Sequence, residues 1–262
     1  MIDSLPVVED YHQRILVDAG HPILAFRANR DRFTKGSYAG YPHLGSRNSE
    51  DALAWNVFRT LQLTGSLETV TGLFGLSRPI GLLFWTIAAD PKDQDLQYRV
   101  GRVIRSVDGK RRGQITEPDV VIVGGEAVAV VENKLGEPDA KMSKAWKGSG
   151  ARWEDYLAEM PDLVSLKDHA QSAYQLIRML FYARILGWEL GLQPVLVSLS
   201  NQSNWALGRP SMAEQWQGFI SRVPADVQCV SVHWQQITRR CATGGLDELA
   251  HYLTFHPCLT TT

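Results

Sequence analysis

Apolar positions repeat with two different periods along this chain. In residues 49–64 they recur at helical spacing: counted from Glu50, offsets of three, four, seven and eleven fall on Leu53, Ala54, Val57 and Leu61. That spacing predicts an amphipathic helix, with Asn48 or Ser49 at the N-cap and Gly65 just past the end. From Gln97 to Lys134 the pattern reads as strands. A run from Gln97 to Val107 meets the turn pair Asp108-Gly109, and the chain returns through Gln114-Ile115-Thr116 into Val120 to Val123. The glycine pair Gly124-Gly125 then leads into Ala127 to Lys134. The expectation is a three-stranded meander whose last two strands, almost wholly apolar, are covered on both faces.

Further elements follow. Residues 136–166 are polar, Asp168 to Leu186 reads as a long helix closed by Gly187, and Gln193 to Leu199 reads as a strand. Ser211 to Arg222 is predicted helical, Val227 to Trp234 extended, and Leu246 to Tyr252 helical. Residues 1–47 mix short apolar runs with Gly, Pro and Arg, which suits an irregular or small helical cap. The apolar stretch from Gly72 to Ala89 is broken at Arg78-Pro79, leaving Ile80 to Ala89, too short to span a bilayer. No internal repeat is visible. These elements predict one α/β domain over residues 1–262: a cap (1–47), a core (48–200) with an insertion (136–166), and accessory elements (201–262).

A net charge of −1 gives no overall attraction to a phosphate polymer, so any nucleic-acid binding needs a local basic groove. The three cysteines, Cys229, Cys241 and Cys258, are far apart and suit reduced thiols in a cytoplasmic protein. The segment from Met1 lacks the pattern of a signal peptide, and no membrane association is expected.

Candidate chemistry lies in the predicted hairpin. Glu117-Pro118-Asp119 and Glu132-Asn133-Lys134 are separated by the twelve residues from Val120 to Val131, all apolar or glycine except Glu126. If Gly124-Gly125 is a two-residue turn, Val123 faces Glu126, Asp119 sits opposite Val130, and Glu117 opposite Glu132. Glu117, Asp119, Glu132 and Lys134 then share one face. Carboxylates so close raise each other's pKa unless a divalent cation neutralises them. Magnesium needs only one or two such ligands, and it lowers the pKa of a bound water. Lys134 beside it is a cation whose pKa can shift down, letting it position or deprotonate that water. A structural ion pair, or a row of solvated charges at a strand end, is the alternative from spacing alone.

The two clusters resemble the motif of PD-(D/E)XK nucleases, the restriction-endonuclease-like superfamily. There a Pro-Asp opens one strand of a hairpin and (D/E)-x-K lies on the next. The resemblance implies an αβββαβ core, a mixed central sheet flanked by helices. It implies metal ligation by Asp119, Glu132 and the Asn133 backbone carbonyl, with Lys134 serving the attacking water. Glu50, on the apolar stripe of its helix, resembles the first-helix glutamate that many members place near the metal; the helix dipole explains Asp51 more readily. The implied cofactor is Mg2+, with Mn2+ able to substitute.

On the predicted helix from Asp168, Gln171, Gln175, Arg178 and Tyr182 form a polar stripe. Gln171 and Gln175 approach the Q-x-x-x-Y form of a RecB-like subgroup but place glutamine where tyrosine belongs, and an ordinary solvated face is the other reading. Lys141, Lys144 and Lys147, near Trp146 and Trp153, suit a lid that tracks a phosphate backbone, or simply a solvated loop. No P-loop, H-E-x-x-H, G-x-S-x-G or G-x-G-x-x-G motif occurs. The expected activity is hydrolysis of phosphodiester bonds, in DNA rather than RNA, by an endonuclease of restriction, anti-phage defence or repair, with a homodimer possible. The rivals are an inactive nuclease-fold protein that binds nucleic acid or a partner protein, and an RNA-cleaving nuclease.

Overall fold

The computed structural model describes residues 6–108, 117–135, 160–169, 174–205, 211–257 and 259. Six strands form one mixed sheet in the order β2-β1-β3-β4-β5-β6. They are β1 (Gly81–Phe84), β2 (Ile87–Ala88), β3 (Val120–Val123), β4 (Ala127–Lys134), β5 (Gln193–Ser200) and β6 (Gln228–His233). The pairs β2–β1, β1–β3 and β3–β4 are antiparallel, whereas β4, β5 and β6 are mutually parallel. Among the described residues the α-helices are α1 (Pro22–Arg30), α2 (Glu50–Leu63), α3 (Glu68–Thr71), α4 (Gln94–Asp108), α5 (Tyr174–Leu190), α6 (Gln202–Trp205), α7 (Met212–Ile220), α8 (Trp234–Thr243) and α9 (Asp247–Thr254). None is long and apolar enough to cross a membrane.

Strand alternation divides the core into two layers. Ala129 and Val131 of β4, with Val195 and Val197 of β5, face α2, α8 and α9, where Trp55, Phe58, Trp234 and Leu253 are buried. Val128 and Val130, with Leu196, face α4, α5 and α7 through Val100, Leu180 and Phe219. Both faces of the central strands are therefore covered, as their continuous apolar runs require. The helix predicted over residues 49–64 is α2: the Ser49 hydroxyl accepts from the Ala52 N–H at 3.1 Å, and Ser66 N donates back to Leu61 O at 2.8 Å beyond its end.

The predicted strand from Gln97 to Val107 is instead part of α4. Tyr98, Val100 and Ile104 fit a period of two, but Leu96, Val100, Val103 and Ile104 fit the helical period better and pack on the α5 side of the core. Arg99 and Arg102 lie on the outer face and bond Glu189 of α5. The strand that completes the meander is β1, paired with β3 from Gly81↔Val123 to Phe84↔Val120. Of the predicted turn and return, Gly109 and residues 114–116 lie outside the described residues.

The β3–β4 turn is wider than two residues. Val123 pairs with Val128 and Val120 with Val131, while Gly124 N donates to Ala127 O at 2.8 Å. The register differs from the expected one by two positions, and an even shift leaves every side chain on its predicted face. The helix predicted to close at Gly187 continues to Leu190. A Cβ at Gly187 would lie 2.9 Å from Leu192 O and Pro194, so that glycine admits β5 against the helix. The chain leaves α5 at Gly191, with φ +67°.

Candidate active site

The cluster sits where β3 begins and β4 ends, on the adjoining rung past Val120↔Val131. Lys134 Nζ lies 2.8 Å from Glu132 Oε1 and 3.4 Å from Glu50 Oε2. The other Glu50 oxygen accepts from the Leu135 backbone N–H at 2.7 Å, and the Asn133 N–H donates to Asp119 Oδ2 at 2.7 Å. Thus Asp119, Glu132, Asn133, Lys134 and Glu50, the predicted set, come together from β4, the start of β3 and the first turn of α2. Glu132, Asn133 and Lys134 are buried.

Asn133 projects to the opposite face of the sheet and ties the site to the helices behind it. Its Nδ2 donates to the Glu50 backbone carbonyl at 2.9 Å, and its Oδ1 accepts from Trp234 Nε1 at 3.0 Å. Glu50 is therefore fixed at both its backbone and its carboxylate.

The electrostatics are unbalanced. Burial pushes the Asp119 carboxyl well above its usual range, and neighbouring Glu132 adds to the rise. Burial likewise raises Glu50, with Lys134 opposing it. Burial disfavours the Lys134 ammonium, but Glu132, Glu50 and Asp119 outweigh it and hold its pKa well above the ordinary value. That reverses the expectation of a lysine shifted down: in this setting the surrounding carboxylates favour the Lys134 ammonium. Three carboxylates, buried Glu132 and half-buried Glu50 and Asp119, face one ammonium. Among the described residues no group of three His, Cys, Asp or Glu side chains stands ready as a metal cage.

Glu117 lies before β3 and joins another network instead of the Lys134 cluster. It accepts from Arg27 at 3.1 Å and from Arg30 at 2.7 Å, both on α1, and burial pushes its carboxyl up to about 7 despite Arg27. Asp51 belongs to the same network: it accepts from Arg27 Nε and from Trp85 Nε1, each at 2.8 Å. The Arg27 guanidinium lies 4.8 Å from the Trp85 ring. Trp85 and Thr86 form the two-residue β1–β2 turn with φ +48° and +71°, a conformation that usually takes Asn-Gly. Strained backbone of this kind gathers at functional sites.

A cleft of about 760 Å³ opens over the cluster, lined by Glu50, Asp51, Asp119 and Leu135, with Arg27, Phe33 and His43 from the N-terminal segment on one wall. Sequence reasoning missed this wall and Asp51. The missing signal was a local charge bias: residues 22–48 hold five basic side chains (Arg27, Arg30, Arg32, Lys35, Arg47) and one acidic (Asp31), in a chain of net charge −1.

Of the predicted nucleic-acid contacts, Gln175 is half-buried on the first turn of α5, and Arg178 and Tyr182 beyond it are buried, so the described part of this stripe is not a solvated face. Gln171, Lys141, Lys144 and Lys147 lie outside the described residues. Burial pushes the thiols of Cys229 and Cys241 up to about 12 and about 11, which removes them as nucleophiles at neutral pH. Comparison with protein-family models, curated proteins and solved structures finds no match to this chain.

Proposed function

We propose that this protein is a magnesium-dependent nuclease of the PD-(D/E)XK type that hydrolyses phosphodiester bonds, of DNA in preference to RNA. The observation that carries the reading is the convergence of Asp119, Glu132, Lys134 and Glu50 under one cleft, from separate elements, with Lys134 within 3.4 Å of Glu50 and 2.8 Å of Glu132. The element order α2, β1, β3, β4, α5, β5, with α3 between α2 and β1 and with β2 and α4 between β1 and β3, is compatible with an αβββαβ core that carries insertions.

The donor set suits a hard cation. Asp119, Glu132 and the Asn133 carbonyl offer oxygen only, and the carboxylate excess is what a divalent ion neutralises. Bound there, Mg2+ would supply a water of lowered pKa and charge stabilisation at the phosphoryl oxygen. The chain does the rest. Asp119 and Glu132 would hold the cation, while the hydrogen bond from Asn133 N fixes the angle of the Asp119 carboxylate. Glu50, pinned by Leu135 N, fixes the Lys134 ammonium. Lys134 donates to the attacking water or to the developing phosphorane charge, and the closed apolar core beneath keeps the field strong.

The test is incubation of the pure protein with supercoiled, linear and single-stranded DNA and with RNA, in Mg2+ or EDTA. Cleavage in Mg2+ that EDTA abolishes is expected. Absence of cleavage on every substrate, with Mg2+ and with Mn2+, contradicts the reading.

A further inference from the structure

Phe33 and His43 are the aromatic side chains of the cleft wall, their ring centroids 4.4 Å apart and their planes at 50°. His43 is exposed and Phe33 only half-buried, although both border a cavity floored by acidic groups. The loop that carries them is pinned. Phe33 N donates to Tyr41 O at 2.9 Å, Gly40 N to Phe33 O at 2.8 Å, and His43 N to Asp31 O at 2.9 Å, with Arg32 bridged to Pro42. The backbone that carries the rings is therefore held in place without a ligand, which lowers the entropy cost of binding one.

We propose that the Phe33–His43 wall of the cleft stacks an unpaired nucleobase of a single-stranded nucleic acid while the adjoining phosphate lies over Asp119 and Glu50. This rests on the nuclease reading and names its substrate class. Flat aromatic faces beside basic side chains bind bases with little regard to sequence. The same segment carries Arg30, Arg32 and Lys35 in a chain of near-neutral net charge, and Arg27 from it lines the cleft. A cleft of about 760 Å³ has the size of a small-ligand site, about 300–1,000 Å³, and encloses a nucleotide but not a duplex. A duplex would have to open before its phosphate reached Asp119.

The test is fluorescence anisotropy of the full chain in EDTA, where nothing is cut. Labelled oligo-dT, oligo-U, an oligo-dT strand with abasic positions and a hairpin duplex of equal length serve as probes. Single strands should bind roughly 10-fold more tightly than the hairpin. Phe33→Ala and His43→Ala should each weaken strand binding by roughly 10-fold and leave the hairpin unchanged, while Phe33→Trp keeps wild-type affinity. The dT and U arms identify which sugar the strand carries. Strand binding unchanged in both alanine variants, or abasic strands bound as well as intact ones, overturns the proposal. His43 is exposed, so its variant reports even if Phe33→Ala unfolds. A chain that binds strands through these rings but cuts nothing in Mg2+ refutes the nuclease reading alone. One that cuts while both variants bind normally refutes the stacking site alone.

Discussion

Trp234 Nε1 donates to Asn133 Oδ1 at 3.0 Å, with both residues fully buried, and so links a C-terminal helix to the middle of the Glu132-Asn133-Lys134 segment. Replacing the indole by a phenyl ring leaves that amide oxygen without its donor in a dry core. Trp234→Phe should lower stability by about 1–3 kcal/mol in urea unfolding, since a buried unsatisfied acceptor costs about that much. A midpoint equal to wild type would show that the contact does not hold the segment.

Glu50 and Asp119 are held against their electrostatic preference. Their folded-state pKa values lie above the unfolded ones, so ionising them costs stability as pH rises through that window. Glu50→Gln and Asp119→Asn keep an oxygen to accept from Leu135 N and Asn133 N but remove the charge. Both variants should melt at or above the wild-type temperature at pH 8 and lose at least about 100-fold in cleavage, the scale of removing an electrostatic catalytic group. A fall in melting temperature together with retained activity would reverse the assignment.

The strained turn offers an independent check. Thr86 holds φ +71° in spite of a branched Cβ, at a position that favours glycine or asparagine. Thr86→Gly should raise stability by about 1 kcal/mol, the order of the strain released. Destabilisation would mean that the Thr86 side chain contributes more than its backbone costs.

His256 makes stability depend on acid. Burial lowers its pKa to about 4, with Arg14 and Arg47 adding to the effect, while the unfolded chain protonates near 6.5. Between those values the unfolded state binds the proton and the folded state does not, so stability falls as pH drops from 6.5 to 4. The loss should approach about 3 kcal/mol across the window. Urea midpoints for wild type and His256→Gln at pH 7 and pH 4.5 measure it, and the variant should lose that part of the slope. Parallel slopes would contradict the assignment.

Much of the site was legible in the sequence because parity is robust. A hairpin register wrong by two positions still placed Asp119, Glu132 and Lys134 on one face, and the apolar offsets from Glu50 pointed its helix inward. What failed did so for identifiable reasons. The α4 segment fits both periods at Val100 and Ile104, and only packing against α5 decides between them. Gly187 reads as a helix end, whereas the close approach of Pro194 is what demands it. Arg27, Asp51, Trp85 and Glu117 form one network over ninety positions of sequence, with no local pattern to announce it. Lys134 had the right place but the opposite shift, since the attraction of Glu132, Glu50 and Asp119 outweighs the cost of burying its ammonium, a balance that spacing does not give.

The central claim is that Lys134, held between Glu132 and Glu50, serves a metal-dependent hydrolysis. Single-turnover cleavage of the best substrate by wild type and Lys134→Ala, in Mg2+ and in EDTA, tests it most directly. The expected result is cleavage by wild type in Mg2+ alone, with the variant at least about 100-fold slower yet still folded. Equal rates for the two proteins, or cleavage that persists in EDTA, would contradict it.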